Sequence, residues 1–307
     1  MQEQSVEHHK HRNRIIQGIT LERIQRSLGN RTMRQIARFG FVRSLASLGY
    51  SGNPGVQSNL FPGIDISEVV ESISSDGIWR SFQLPPNILR ELQEFSYEAP
   101  IYGNRNMEHG FKLKDLMRAQ EYLGIKFTVA NYFNAYEQCS AVRQIAKDPV
   151  LNEIALRYVG PRAQFLGTSM WWSFANQSKQ TDQNNYAQLF HYDLDDYKFL
   201  KFFFYLTDVD LDSGPHVYVT GSHRKKPWSH LYPMRRLQDD EIEKTYEKKA
   251  VLVLEGQTGT GFVEDTFGIH KGTPPISKKR LIIEFYYAIS RGFTDGCDPK
   301  NLKMLDI

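Results

Sequence analysis

His191 and Asp193 stand two residues apart, a second histidine lies at position 270, and Arg280 follows ten residues later at the head of an apolar run reaching Ile289. Two imidazoles and one carboxylate are the donor set of the facial triad that holds non-haem Fe(II) and leaves three faces of the metal open for substrates. If the ion is also to be chelated by 2-oxoglutarate, the far carboxylate of that molecule needs a fixed cation about a cofactor's length away. An arginine can grip it through two parallel hydrogen bonds, and Arg280 is placed to do so. Dioxygen reacts sluggishly with closed-shell organic molecules. Fe(II) can supply electrons singly, and full reduction of O2 while the target gives up only two requires a second two-electron donor.

A His-x-Asp triplet is weak by itself in a chain with nine histidines, so the elements around it matter. Residues 186–190 form a short apolar run that reads as a strand ending at His191. Strand geometry points residues i and i+2 the same way, which would aim His191 and Asp193 together, whereas a helix would part them. Strands are also predicted over 164–174, 199–207 and 216–219, with a turn at 213–215 and a polar loop over 221–224. Upstream the periodicity is helical. The spacing predicts a strand over 78–84 and helices over 86–97, 113–123, 140–146 and 150–158, the last two separated by Asp148-Pro149. Helices first and strands after predict an α+β fold, mainly β in its core, as a sandwich or barrel with helices buttressing one face.

The order of these pieces resembles the phytanoyl-CoA dioxygenase family of Fe(II)/2-oxoglutarate oxygenases. The resemblance rests on His191-x-Asp193, the strand ending at Asp208, Gly214-Pro215 leading to Gly221-Ser222-His223-Arg224, then His270-Lys271-Gly272 and Arg280, about a third of the chain. It implies a double-stranded β-helix (a jelly roll, cupin-like). His191, Asp193 and His270 would be the iron ligands and catalytic centre, and Arg280 the oxoglutarate clamp. It puts His270 on a late strand across the barrel from His191. The implied activity is hydroxylation of a small-molecule substrate with O2, releasing succinate and CO2. A carboxylate at position 193 favours hydroxylation over halogenation. The family often carries a hydroxyl residue two positions after the distal histidine. Here Gly272 stands there and Thr273 follows, so Thr273 is the expected secondary cofactor contact. Acceptor choice is expected from residues 98–135 and 175–186, and the acceptor itself stays open.

Other residues carry competing readings. Lys201 shares a strand face with Phe203 and Tyr205, and a buried lysine needs an anionic partner, so it is a second candidate for the cofactor or an anionic substrate. Asp195 and Asp196 rival Asp193, but a spacing of four from His191 would need a turn. Trp171 and Trp172 must face opposite ways, and core packing is the expected role of either. His216, His223 and His230 could bind metal, though His223 is expected to hydrogen-bond within its loop.

The chain of 307 residues divides into a basic, partly disordered and helical N-terminal extension with a Gly/Pro-rich linker over 1–63, and an oxygenase domain over 64–307 with helices at 86–160. Residues 1–50 hold nine Lys/Arg against three Glu, while the remainder has a net charge of −3. A near-neutral body argues against nucleic-acid binding, and Tyr286 stands where nucleic-acid demethylases carry a second arginine. The basic head is expected either to pack on the domain or to touch an anionic surface peripherally. Cys139 and Cys297 lie far apart and form no zinc or CxxC pattern, which fits a reducing compartment. With no membrane-length apolar stretch and no signal peptide, the expected location is cytoplasmic. The alternative function is a cupin-like metal-binding or scaffold protein without catalysis. Loss of chemistry would show as a missing ligand or clamp, and none is missing.

Overall fold

The computed structural model describes residues 39–40, 43, 49–175, 188–290 and 296–307. The helical reading of 18–48 and the acceptor segment 175–186 therefore lie almost wholly outside the described residues. In chain order the elements are α1 (Ile66–Asp76), β1 (Ile78–Gln83), α2 (Pro86–Glu98), β2 (Ile101–Gly103), β3 (Gly110–Phe111), α3 (Leu116–Leu123), β4 (Val129–Tyr132), α4 (Ala135–Gln138), α5 (Ser140–Ala146) and α6 (Pro149–Val159). There follow β5 (Gln164–Ser173), β6 (Phe199–Tyr205), β7 (His216–Val219), α7 (Trp228–Leu231), α8 (Asp239–Thr245), β8 (Val251–Leu254), β9 (Thr260–Glu264), β10 (His270–Gly272) and β11 (Arg280–Ala288).

Local chemistry sets the helix starts. Asp65 caps α1 by accepting from the N–H groups of Ser67 and Glu68. Asp148 does the same for α6 through Val150 and Leu151, with Pro149 in the first turn, where its missing N–H costs nothing. Gly77 ends α1 in the left-handed region at φ 86°, which glycine adopts without strain.

Eight strands form one antiparallel sheet in the order β1-β9-β6-β11-β5-β4-β2-β3, and a second sheet runs β10-β7-β8. Two antiparallel sheets enclosing a side-chain-lined interior, with helices outside the larger one, make the jelly roll that the sequence predicts. The period of two sorts side chains between the faces of the large sheet. Leu200, Phe202 and Phe204 of β6, with Leu281, Ile283, Phe285 and Tyr287 of β11, join the main core under the helices. Helix α6 lies across β5, β6 and β11 there. The alternate residues Phe203, Tyr205 and Ile282 face the interior instead. With both faces covered, every position of β6 and β11 is buried. This is why they read as unbroken apolar runs in which Lys201, Arg280 and Glu284 stand out.

The Gly/Pro-rich run 49–63 packs against the domain. Tyr50 Oη and Asn53 N–H both donate to the Glu153 carboxylate at 2.6 Å, and Phe61 is buried in the main core. No described helix is long and apolar enough to cross a membrane.

Candidate metal centre

Of the expected strand over 186–190 only 188–190 lie among the described residues, and there it consists of single bridges. Phe190 pairs with Leu237 and His191 with His270, and the ladder stops because the Asp193 N–H turns to the carbonyl of Thr266 at 2.8 Å. His270 is therefore not across the barrel from His191 but its hydrogen-bonded neighbour. The two exchange backbone N–H···O bonds of 2.9 and 2.8 Å. Directly opposed residues on adjoining strands bring their side chains together, and the two imidazole centroids lie 4.3 Å apart.

Each imidazole is oriented the same way. Nδ1 of His191 meets the carbonyl of Leu189 at 2.9 Å, and Nδ1 of His270 meets that of Gly268 at 2.9 Å. A carbonyl can only accept, so each Nδ1 carries the proton and each Nε2 keeps its lone pair for a ligand. His191 Nε2 lies 3.8 Å from Asp193 Oδ1, and His270 Nε2 lies 3.8 Å from Asp193 Oδ2. One donor atom from each of the three residues falls within 4.8 Å of the others, the spread expected around a single ion. Burial pushes both imidazoles below their ordinary pKa and keeps them neutral. Burial opposes ionisation of Asp193, but its polar surroundings, the charge and hydrogen bond of Lys201 foremost, outweigh it and hold the carboxyl well below the usual range. Neutral imidazoles and an ionised carboxylate are the protonation states a divalent cation needs.

Lys201 points inward with Phe203 and Tyr205, as their shared face predicts. Its ammonium lies 2.9 Å from Asp193, 3.1 Å from Asp195 and 3.7 Å from Glu284. Burial favours loss of its proton, yet these three carboxylates hold its pKa well above the ordinary value. Its anionic partners are thus residues of the chain. Thr273 lies outside the cavity wall. Its N–H and hydroxyl both donate to the carbonyl of Pro215, so the cofactor contact expected of it is spent on a turn. At position 272 a side chain is absent where one would crowd Arg280, since a Cβ on Gly272 would sit 3.3 Å from its Nη2.

Arg280 starts β11 opposite Ser173 of β5 and is 5% exposed. Nη2 donates to Ser173 Oγ at 3.3 Å, whereas Nε and Nη1 are buried without a hydrogen-bond partner. A guanidinium is charged and carries five donors, and leaving it unpaired in the interior is costly. It lines a cavity of about 380 Å³ together with His191, Asp193, His270 and Lys201. Trp171, Arg105, Met107, Asn131, Phe133 and Arg236 line the same cavity. Trp172 faces the other way and donates from its indole to Tyr132 Oη at 2.8 Å.

Glu284 and Glu264 escaped the reading of the sequence, and His216 enters it only as a possible metal ligand. Glu284 could have been found, because it is a carboxylate on the same strand face as Arg280 within an apolar run. His216 stacks 5.5 Å from His270 and hydrogen-bonds Glu264 at 3.1 Å. Burial drives that imidazole down to about 3 and the Glu264 carboxyl up to about 8. Neither residue belongs to a short motif, and only the meeting of β7 with β9 and β10 brings them in.

No family model matches the sequence, and no curated protein matches it. Solved structures do share its architecture. EvdO2 from Micromonospora carbonacea var. aurantiaca, solved in complex with 2-oxoglutarate, superposes with a TM-score of 0.52 at 13% identity over 79% of this chain and 98% of that one. The non-haem alpha-ketoglutarate-dependent carbocyclase SnoK from nogalamycin biosynthesis gives 0.51 at 14% identity over 80% and 91%. What is shared is the fold. At such identities side-chain roles do not transfer, and the metal-binding geometry stands on this chain's own residues.

Proposed function

We propose that this chain is an Fe(II)- and 2-oxoglutarate-dependent oxygenase that hydroxylates a small molecule with O2, releasing succinate and CO2. The observation that carries the reading is the buried, half-unpaired guanidinium of Arg280 on the wall of the cavity that holds the His191, Asp193 and His270 donors. A divalent ion fits the three donors. A dicarboxylate fits a cation that no described carboxylate satisfies. When bound, the pair supplies one-electron chemistry toward O2 together with a sacrificial two-electron donor.

The chain's own residues do the rest. The backbone carbonyls of Leu189 and Gly268 fix both imidazole tautomers, and Lys201 holds the carboxylate of Asp193. Arg280 would bind the distal carboxylate in two-pronged fashion and so set the cofactor's orientation. Aromatic and apolar side chains, Trp171, Phe133 and Ile282 among them, shield the centre from stray water. The order of motifs favours the phytanoyl-CoA dioxygenase-like branch. The acceptor would enter past Arg105, Met107 and Phe133, within the segment 98–135 expected to choose it.

The test is succinate formation by the purified chain with Fe(II) and 2-oxoglutarate. We expect Arg280→Gln to raise the 2-oxoglutarate KM by about 10- to 100-fold, the worth of a charge-assisted bidentate pair at about 1.4 kcal/mol per decade, while Fe(II) binding survives. His191→Ala should abolish binding and turnover together. Undiminished succinate release from His191→Ala would refute the ligand assignment.

A further inference from the structure

A second cavity, of about 430 Å³, shares no lining residue with the one around His191. Its wall carries four cations, Arg43, Lys198, Arg224 and Lys226, and one carboxylate, Asp265. That carboxylate is already occupied. It lies 2.5 Å from Arg43, accepts from the Tyr158 hydroxyl at 2.6 Å and from the Phe267 N–H at 3.0 Å, and is 1% exposed. Arg43 takes the close contact, and the same carboxylate reaches Lys198 and Lys226 only at longer range, leaving an excess of positive charge.

Among the described residues, Lys198, Arg224 and Lys226 make no ion pair with any carboxylate. Lys226 donates to the carbonyls of Ser222 and Phe267 and lies 3.7 Å from the centroid of the Phe267 ring. Lys198 sits 4.0 Å over the ring of Tyr158. Arg224 reaches the carbonyl of Ser74 at 3.3 Å. Carbonyl oxygens and ring faces solvate a cation but do not neutralise it. The desolvation is considerable, since burial lowers Lys226 well below its ordinary pKa and brings Lys198 down to about 8. Lys198 and Lys226 are half-buried and Arg224 is exposed at the rim, and a polypeptide does not sink two lysines side by side in this way without a counter-charge.

We propose that this cavity is a second ligand site, and that it takes a soluble phosphate monoester. Three cations with no close carboxylate call for a compact anion of more than one charge. Two are lysines, whose flexible point charges suit a tetrahedral group, and the third is an arginine that can bridge two of its oxygens. The volume exceeds that of a bare phosphate and leaves room for a small organic remainder beside Tyr158 and Phe267. The floor of the cavity is the run from Asp265 to Phe267, which leads directly to the metal-ligand candidate His270. These charges stand apart from the His191 cavity and are independent of any oxygenase chemistry there.

The experiment is calorimetric titration of the full, metal-free chain at neutral pH in a chloride buffer, with glycerol 3-phosphate as probe. Saturable binding at one site is expected, weakened at least tenfold in the double variant Lys198→Gln/Arg224→Gln and unchanged in Arg280→Gln. No saturable binding would overturn the proposal. So would binding lost in Arg280→Gln but kept in the double variant, because the probe would then occupy the other cavity. Capture only by phosphatidic-acid vesicles would replace the soluble ligand with a membrane. A second measurement on the unsubstituted chain guards against a misfolded variant. Acetylation of Lys198, mapped by mass spectrometry, should fall at least fivefold in the presence of the probe, while the exposed Lys249 is unaffected. An unprotected Lys198 would also overturn the assignment.

Discussion

At the scale of single residues, the centre is organised around charge balance. Lys201 faces three carboxylates, and Asp193, which it contacts most closely, is shared with the metal-ligand candidates. Removing one partner from a mostly buried ionic group leaves uncompensated charge and costs about 3–5 kcal/mol. Asp193 and Asp195 keep some solvent contact, so the lower figure applies. We expect Lys201→Met to lower the unfolding free energy of the metal-free protein by about 3 kcal/mol. Saturating Fe(II) should shrink that loss, because the ion supplies positive charge to the same carboxylates. Denaturant melts with and without metal, under anaerobic conditions, check both parts. Equal stability of the two metal-free proteins would mean that Lys201 does not hold the cluster together. The position was legible in the sequence as a lysine in an aromatic strand. Its partners were not, because Asp195 comes from a loop and Glu284 from a strand distant in the chain.

At the scale of elements, the connection from β9 to β10 is the part that must hold still, since His270 sits at its end. Asp265 anchors it. Its carboxylate takes Arg43, the Tyr158 hydroxyl of α6 and the Phe267 N–H, while its own N–H donates to the carbonyl of Gly77 at 2.8 Å. Burial opposes ionisation of Asp265, but Arg43 together with His223 and the hydrogen bonds from Tyr158 and Phe267 outweighs it and keeps the pKa below the ordinary carboxylate value. A depressed folded-state pKa stabilises the protein fully above the unfolded value near 3.8, and the stabilisation is lost as pH falls through the folded one. Asp265→Asn should therefore cost about 3 kcal/mol at pH 7, and the difference from the parent chain should narrow as the pH drops below about 4. Urea midpoints across pH 3–7 measure it, and a gap that widens on acidification would contradict the charge pairing. The elements packed on this connection, β1, α6 and β7, follow the sequence to within a residue or two, whereas β9 itself was not predicted. The segment before His191 departs from the sequence reading as well, since single bridges leave no periodic trace.

At the scale of the whole molecule, the two cavities are wells in which uncompensated charge awaits ligands, so stability should be linked to occupancy. A ligand that binds only the folded chain stabilises it by about 2.7 kcal/mol at a hundredfold excess over its Kd. We expect 2-oxoglutarate with Fe(II) to raise the melting temperature of the parent chain in a concentration-dependent way, with most of the increment lost in Arg280→Gln. A shift of equal size in that variant, by calorimetry, would contradict the clamp. The sequence by itself determined the fold class, because short apolar, aromatic-rich strand runs and the helical period upstream are local properties written into consecutive residues. It also singled out three residues that could hold a metal ion and the arginine on the same cavity wall, since few residue types can hold a divalent ion or grip a carboxylate. Tertiary structure decided the rest. That His191 and His270 are direct neighbours, that Thr273 is spent on Pro215, that Lys201 answers to three carboxylates, and that four cations surround a second cavity all depend on strand register and sheet closure. Those are set by the packing of residues far apart in the chain, and no window of sequence contains them.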